Sequence, residues 1–162
     1  PVDKAHTRKY SKIVGIKSEG ENMKISTKGR YALRIMIDLA MNADKGPVPV
    51  KDIASRQSIS EKYLEQIISL FNKAGYVKSI RGAQGGYLLV MEPKEYTVGM
   101  ILRLAEGSIA PVSCVDDSTE GCEKSGACVS ALRWQKMNDA VIEVVDNTTL
   151  YDLVEWQKNI SE

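Results

Sequence analysis

Histidine is almost missing from this sequence, because its only copy is His6, within the first 22 residues. A Ser/His/Asp or Cys/His catalytic group needs a histidine beside its nucleophile, and the chain offers no such set. No glycine-rich loop is followed by Lys and Ser or Thr, so a phosphate-binding loop of the NTPase type is also missing. We therefore expect a protein that is not an enzyme and has no small-molecule substrate.

Long apolar stretches are absent as well. No run of 18 apolar residues occurs, and residues 1–22 have no apolar signal-peptide core. We expect no membrane partner and, by default, a cytoplasmic location.

Residues 1–22 lack periodicity, unlike the patterned segment that opens at Met23, and are predicted to be a disordered leader, either a cloning remnant or a mis-assigned upstream extension. A basic arm that touches DNA is the alternative, although its net charge is only +2.

The overall net charge of +1 hides an asymmetry. Residues 23–91 contain eleven Lys and Arg against five Asp and Glu, whereas residues 92–162 contain six against thirteen. A basic half joined to an acidic half suggests that only the first half meets a polyanion.

Residues 23–91 have the element order of a winged helix-turn-helix. Helical periodicity starts at Thr27 and stops before Lys45-Gly46-Pro47, with Arg30, Arg34 and Asp38 predicted on the outer side. A short helix at 50–57 is followed by a longer one that starts after the N-cap Ser60 and stops at Gly75.

Two strands at 76–80 and 86–90 then flank a glycine-rich tip, which predicts a β-hairpin wing. In residues 92–127 we expect a short helix near 97–106 and a cysteine-bearing loop from 107 to 127. Residues 128–162 are predicted to form a long helix, to about 145, and a last helix at 150–159. The predicted fold class is mainly α with a small β-hairpin wing.

Two stretches, KISTKGRYALRIMIDLA and VPVKDIASRQSISEKYLEQIISLFNKAGYVKSIRGAQGGYLL, closely resemble the IscR-type family of bacterial regulators, which includes NsrR-like and CymR-like proteins. The most specific matches are SEKYLEQ at 60–66, RGAQGGY at 81–87 and the downstream three-cysteine loop. The resemblance covers residues 23–155. It implies a homodimer that pairs through its long C-terminal helix and binds a palindromic site in double-stranded DNA.

The predicted recognition helix presents polar side chains that suit the major groove. Gln66 can bond adenine in a bidentate way, Lys62 can reach guanine or phosphate, and Glu65 can accept from cytosine or repel other bases; the resemblance implies that Glu65 discriminates operator classes. The full predicted DNA-binding set is Lys24, Lys28, Arg30, Ser60, Lys62, Glu65, Gln66, Arg81 and Gly82.

The chain has three cysteines, Cys114, Cys122 and Cys128, separated by seven and five residues. Clustered thiols in a cytosolic protein favour metal or redox chemistry over a structural disulfide. Thiolates bind iron–sulfur clusters, and the resemblance implies a [2Fe–2S] cluster here, which the isolated protein can lack.

The fourth cluster ligand stays open. Cluster-bearing relatives often place a histidine three residues after the third cysteine, where this chain has Ala131, and others use an acidic residue near the first helix, where this chain has Arg30. The remaining candidates are Asp116, Asp117, Glu120, Glu123, the partner chain or solvent. Bound zinc and free or reversibly oxidised thiols are the alternatives to a cluster.

These features predict a transcriptional repressor of iron–sulfur biogenesis genes that senses through its cluster. A family member that responds to nitric oxide or redox state, or regulates cysteine metabolism through a partner enzyme, is one alternative. A zinc or redox-thiol protein without DNA activity is another. The three clustered cysteines speak against the partner-enzyme regulator, and the basic first half speaks against the protein without DNA activity.

Overall fold

The computed structural model describes residues 25–82, 84–116 and 127–160. These residues form six α-helices and one two-stranded antiparallel hairpin, together with three short 3-10 turns. In chain order the elements are α1 (Thr27–Met41), α2 (Val50–Gln57), α3 (Glu61–Lys73), β1 (Val77–Ile80), β2 (Gly86–Leu89), α4 (Val98–Glu106), α5 (Val129–Asn147) and α6 (Leu150–Ile160). The predicted class, mainly helical with a β-hairpin wing, is confirmed.

Helix α1 is the central helix of the core. Its N-cap Ser26 accepts a hydrogen bond from the Gly29 backbone N–H at 3.2 Å, which satisfies one unpaired amide of the first turn. The inner face of α1 is fully buried, and its side chains pack in one cluster with the apolar faces of α2, α3, α4 and α6. The buried residues of α1 in this cluster are Ala32, Ile35, Met36 and Leu39.

Helices α2 and α3 form the helix-turn-helix, with the predicted bounds. Ser58 ends α2 in the left-handed conformation, at φ 54°, and Ser60 caps α3 by accepting from the Tyr63 N–H at 3.4 Å. Gly75, at φ 75°, follows the end of α3, where glycine has no steric penalty. Side chains at positions 64, 67, 68 and 71 bury one stripe of α3 against the core and leave the opposite side in solvent.

The prediction that Asp38 lies on the outer side of α1 is wrong, since its side chain is only 3% exposed. Arg56 on α2 donates to both carboxylate oxygens, at 2.9 and 2.6 Å, and Gln57 donates a third hydrogen bond at 2.9 Å. Arg34, one turn earlier on α1, bonds the Gln57 side chain at 3.0 Å. A charge can be buried when it is paired and hydrogen-bonded, and this network fastens the end of α2 to α1.

The wing has a fixed register, with Val77 opposite Leu89 and Ile80 opposite Gly86. An isolated bridge joins Tyr87 to Val48 on the far side of β2, through two hydrogen bonds of 2.9 Å. A Cβ atom at Gly86 would lie 2.4 Å from the Val48 carbonyl, so only glycine allows the two backbones to approach this closely.

Tyr96, which the sequence analysis did not single out, fixes the base of the wing. Its ring is fully buried, and its hydroxyl donates to the Tyr76 carbonyl at 2.6 Å. The same oxygen accepts from the N–H groups of Val90 and Met91 at 3.0 and 2.9 Å. One side chain thus holds both ends of the hairpin against the start of α4.

Helix α5 has an inner and an outer face. Asn138 is its only buried residue within the described part of the chain, and Arg103 on α4 forms a two-bond ion pair with Asp146, at 2.8 Å each. On the outer face Val129, Leu132 and Val144 are 81, 68 and 66% exposed. None of the described helices is both long and apolar enough to cross a membrane.

The Arg103–Asp146 pair gives an expected pH dependence. Hydrogen bonds from Arg103 lower the pKa of Asp146 below its ordinary value, so folding favours the ionised carboxylate over the protonated acid. This stabilisation is present above the pKa of an unfolded Asp and is lost as the pH falls through the lower folded value. Asp146→Asn should therefore be less stable than the wild type at pH 6, and the difference should shrink by pH 3 in urea titrations. A difference that is constant with pH would contradict the assignment.

Candidate nucleic-acid interface and cysteine segment

The solvent-facing side of α3 is polar and basic. Residues spaced by three to four positions share one side of a helix, and Lys62, Gln66, Ser69 and Lys73 follow this spacing directly opposite the buried stripe. The two lysines and Gln66 are exposed, whereas Ser69 is half-buried. The sequence-based set left out Lys73, although its spacing from Lys62 and Gln66 would have found it.

The other predicted residues of this helix lie around the same side. Glu65 is exposed beside it, and the Ser60 hydroxyl accepts from the Tyr63 amide as the helix cap. That cap bond does not use the hydroxyl proton of Ser60, which can still be donated to an acceptor outside the protein.

The start of α1 carries two further exposed cations, of which Lys28 lies close to α3. Lys28 and Arg30 are both exposed, and the Arg30 side chain bonds Thr27 at 3.0 Å within its own helix. Lys28 lines a shallow groove of about 280 Å³ together with Gln66 and Lys73 of α3. The structure therefore brings predicted residues from two helices onto one surface. Lys24 lies outside the described residues.

The tip of the wing is exposed at Arg81 and Gly82. Gly82 has φ 120°, a backbone conformation that side chains other than hydrogen rarely adopt. Within the described residues no ion pair engages Arg81. Its guanidinium is thus carried by a narrow turn whose backbone can come close to a ligand.

The cysteine segment, residues 107–128, carries the three cysteines of the chain. The two described cysteines lie next to helix α5. Cys114 is half-buried in the 3-10 turn Ser113–Val115, and Cys128 is the half-buried residue immediately before α5. The Asn138 side chain on α5, 5% exposed, donates to the Val115 carbonyl at 3.4 Å and so holds the turn of Cys114 against the helix. Cys122, and with it Asp117, Glu120 and Glu123, lies outside the described residues.

The surroundings of the Cys128 thiol favour its ionised form. The Ser130 hydroxyl lies 3.0 Å from its sulfur, and hydrogen bonds from Ser130 and from the Ala131 and Ser130 backbone lower the pKa of Cys128. The start of a helix also favours negative charge. Thiolate is the form that binds metals, so this cysteine is a suitable ligand. Among the described residues no three His, Cys, Asp or Glu side chains converge on one point, and the third predicted thiol is not among these residues.

Comparison with known proteins identifies relatives with the same arrangement of elements. The Rrf2 family, described as iron-dependent transcriptional regulators, matches residues 25–156. The HTH-type transcriptional regulator CymR of Bacillus subtilis is 48% identical over 83% of this chain and 91% of its own length. The structure of CymR, titled the global cysteine regulator of B. subtilis, superposes with a TM-score of 0.69 over 82% of this chain and 97% of that chain.

IscR proteins are similar over the same region. The HTH-type transcriptional regulator IscR of Pectobacterium carotovorum is 39% identical over 82% of this chain and 79% of its own length. The structure of T. potens IscR, 41% identical, superposes with a TM-score of 0.71 over 86% of this chain and 91% of that chain. The resemblance noted from the sequence is thereby confirmed. This chain belongs to the Rrf2 family of transcriptional regulators and is not an enzyme.

Proposed function

We propose that this regulator is a homodimeric repressor that binds a palindromic operator through α3 and the wing, and that it senses through a [2Fe–2S] cluster held by Cys114, Cys122 and Cys128. The observation that carries the proposal is the position of the two described thiols. Cys128 immediately precedes α5, and the turn of Cys114 is hydrogen-bonded to the middle of the same helix. A ligand on these thiols would act directly on the helix that relates the two DNA-binding halves of a dimer.

The DNA contacts in this proposal divide into base and backbone contacts. Gln66, Lys62 and Glu65 at the exposed side of α3 are suited to base edges in the major groove, with the Ser60 hydroxyl and Lys73 beside them. Arg81 and Gly82 at the wing tip enter the minor groove or hold a phosphate. Lys28 and Arg30 at the start of α1, and Lys24 just before the described residues, neutralise phosphates.

Arg81→Ala should weaken binding to all DNA sequences by roughly tenfold and reduce the slope of log affinity against log salt by ~0.9, because one phosphate contact is lost. Fluorescence anisotropy with operator and unrelated duplexes, over a salt series, measures both quantities. Lys78→Ala, which removes an exposed cation from strand β1, is the control for net charge. An unchanged salt slope would remove Arg81 from the phosphate contacts.

Gln66→Ala should behave differently, because a base contact carries sequence information. We expect a loss of about 1–3 kcal/mol on the operator that disappears when one particular base pair is changed. Affinities for single-base-pair variants of the operator test this. An equal loss on every sequence would contradict direct readout by Gln66.

The outer face of α5 supports the homodimer. Three of its apolar side chains are more than 60% exposed in the single chain, and burying apolar surface stabilises association. Pairing of two copies through this face places two α3 helices on one duplex, and a palindromic site follows from the twofold symmetry.

The donor chemistry fits an iron–sulfur cluster. Such clusters are held by thiolates, and one of the described thiols already has a lowered pKa. When bound, the cluster supplies a group whose loss or oxidation can be detected. Two residues of the chain support the ligands: Asn138 hydrogen-bonds the turn that contains Cys114, and Ser130 favours the thiolate form of Cys128. By analogy with IscR relatives, the genes controlled would be those of iron–sulfur biogenesis.

A second candidate function follows from the 48% identity to CymR, a protein titled a global cysteine regulator. In that case the chain controls cysteine metabolism and its thiols bind no cluster. Purification without oxygen separates the two. Brown protein that contains iron and acid-labile sulfide supports the cluster, whereas colourless protein that binds operator tightly supports the second candidate and contradicts the first.

A further inference from the structure

We infer that Glu106 is a positioning residue for DNA binding, and that it connects the cysteine segment to the start of α1. This inference rests on the proposed function in one respect, namely that the start of α1 contacts DNA phosphates. The juxtaposition itself is direct, because the last residue of α4 lies against the first turn of α1, 80 positions away in the chain.

The contact consists of two hydrogen bonds to one oxygen. Oε1 of Glu106 accepts from the Ser26 hydroxyl at 2.7 Å and from the Ser26 backbone N–H at 3.2 Å. The Ser26 hydroxyl in turn accepts from the Gly29 N–H at 3.2 Å, as the cap of α1. Because its proton is committed to Glu106, the lone pairs of the hydroxyl face the helix, so Glu106 orients the cap.

Gly29 makes room for this carboxylate. A Cβ atom at Gly29 would lie 2.0 Å from Oε1 of Glu106 and 3.0 Å from its carboxyl carbon, so any larger residue would displace the side chain. Gly29 is buried within the first turn of a helix, where glycine is otherwise unfavourable. The glycine and the glutamate therefore form one unit.

Glu106 is also directly followed by the cysteine segment. Gly107, at φ 88°, ends α4 by donating to the Arg103 carbonyl at 2.8 Å, and residues 108–113 lead from there to Cys114. A shift of this segment that unwinds the last turn of α4 would withdraw Glu106 from Ser26. Lys28 and Arg30 lie on the turn that Ser26 caps, and Lys28 would then lose its fixed position beside Gln66 and Lys73 of α3.

The first test uses metal-free protein and the operator duplex. Glu106→Gln keeps the oxygen that accepts both bonds and should bind within twofold of the wild type, whereas Glu106→Ala should bind 5- to 10-fold more weakly. Ser26→Ala should lose a similar amount of operator affinity. The Glu106→Ala Ser26→Ala double variant should bind no more weakly than the single variant with the lower affinity, because both substitutions act through one helix cap. Hydrogen exchange of the Gly29–Tyr31 amides should rise in Glu106→Ala and not in Glu106→Gln.

Two controls keep this test decisive. Glu155→Ala removes another partly exposed carboxylate, with its surface ion pair to Lys158, and reports the effect of losing a negative charge away from α1. Thermal unfolding shows whether each variant is folded. Equal affinities of Glu106→Ala and Glu106→Gln, or an effect of Glu106→Ala that persists in full in the Ser26→Ala background, would overturn the positioning role.

The second test compares cluster-loaded and metal-free protein. The ratio of their operator affinities should move towards one in Glu106→Ala and stay as in the wild type in Glu106→Gln. A ratio that Glu106→Ala leaves unchanged would overturn the connection to the cysteine segment. A ratio of one in the wild type would instead contradict the proposed sensing, and the metal-free comparison would still decide the role of Glu106.

Discussion

Arg56→Ala should lower the free energy of unfolding by about 2–3 kcal/mol, since it leaves the Asp38 carboxylate buried with a single hydrogen bond, from Gln57. Removing one partner of a fully buried ion pair costs about 3–5 kcal/mol. The Arg56 side chain is 41% exposed, so water reaches this pair and the expected loss is smaller. The melting temperature should fall by roughly 5–10 °C.

The matched control is Lys51→Ala, which removes an exposed cation from the same helix and should change stability by less than about 0.5 kcal/mol. A second comparison is Asp38→Asn in the Arg56→Ala background. A neutral amide is cheaper to leave buried than a carboxylate, so this double variant should regain part of the loss. If urea titrations give Arg56→Ala and Lys51→Ala the same free energy of unfolding, the Arg56–Asp38 pair does not fasten α2 to α1.

Cys128→Ala should abolish uptake of iron and sulfide on anaerobic reconstitution, because the site would then offer only two of its three thiolate ligands. Cys122→Ala should give the same result. Since Cys128 is half-exposed and precedes α5, its loss should leave the fold and the dimer intact. Iron and sulfide analysis with size-exclusion chromatography measures both expectations.

Ser130→Ala is the matched control for Cys128. It keeps all three thiols but removes the nearest hydrogen-bond partner of the Cys128 sulfur, which is one cause of its lowered pKa. We expect this variant to take up the cluster, more slowly at a pH below the ordinary thiol range. Full iron content in Cys128→Ala would show that the cysteine segment is not the metal site.

Local signals were sufficient to predict the helices and the wing. Capping serines, stop glycines and apolar periodicity act within one or two turns, so the bounds predicted around Ser60 and Gly75 agree with the structure. The long helix was predicted from 128 to about 145 and spans Val129–Asn147.

Features that depend on distant partners were not predicted. Asp38 was assigned to solvent, because nothing in the periodicity of α1 reveals that Arg56 and Gln57 close over it. The role of Tyr96 at the wing and the contact of Glu106 with Ser26 also join residues that are remote in sequence or lie in separate elements. The sequence shows that three thiols are available within one segment. The fourth ligand depends on which side chains the fold brings near these thiols. The DNA contacts and domain bounds stay predictions.

The most direct measurement of the whole account is operator affinity before and after cluster assembly on the same anaerobic preparation of wild-type protein. We expect brown, iron- and sulfide-containing dimers whose dissociation constant differs from that of the metal-free dimers by at least about tenfold, a coupling of ~1.4 kcal/mol. Protein that stays colourless and iron-free, or that binds operator equally tightly in both states, would contradict the account.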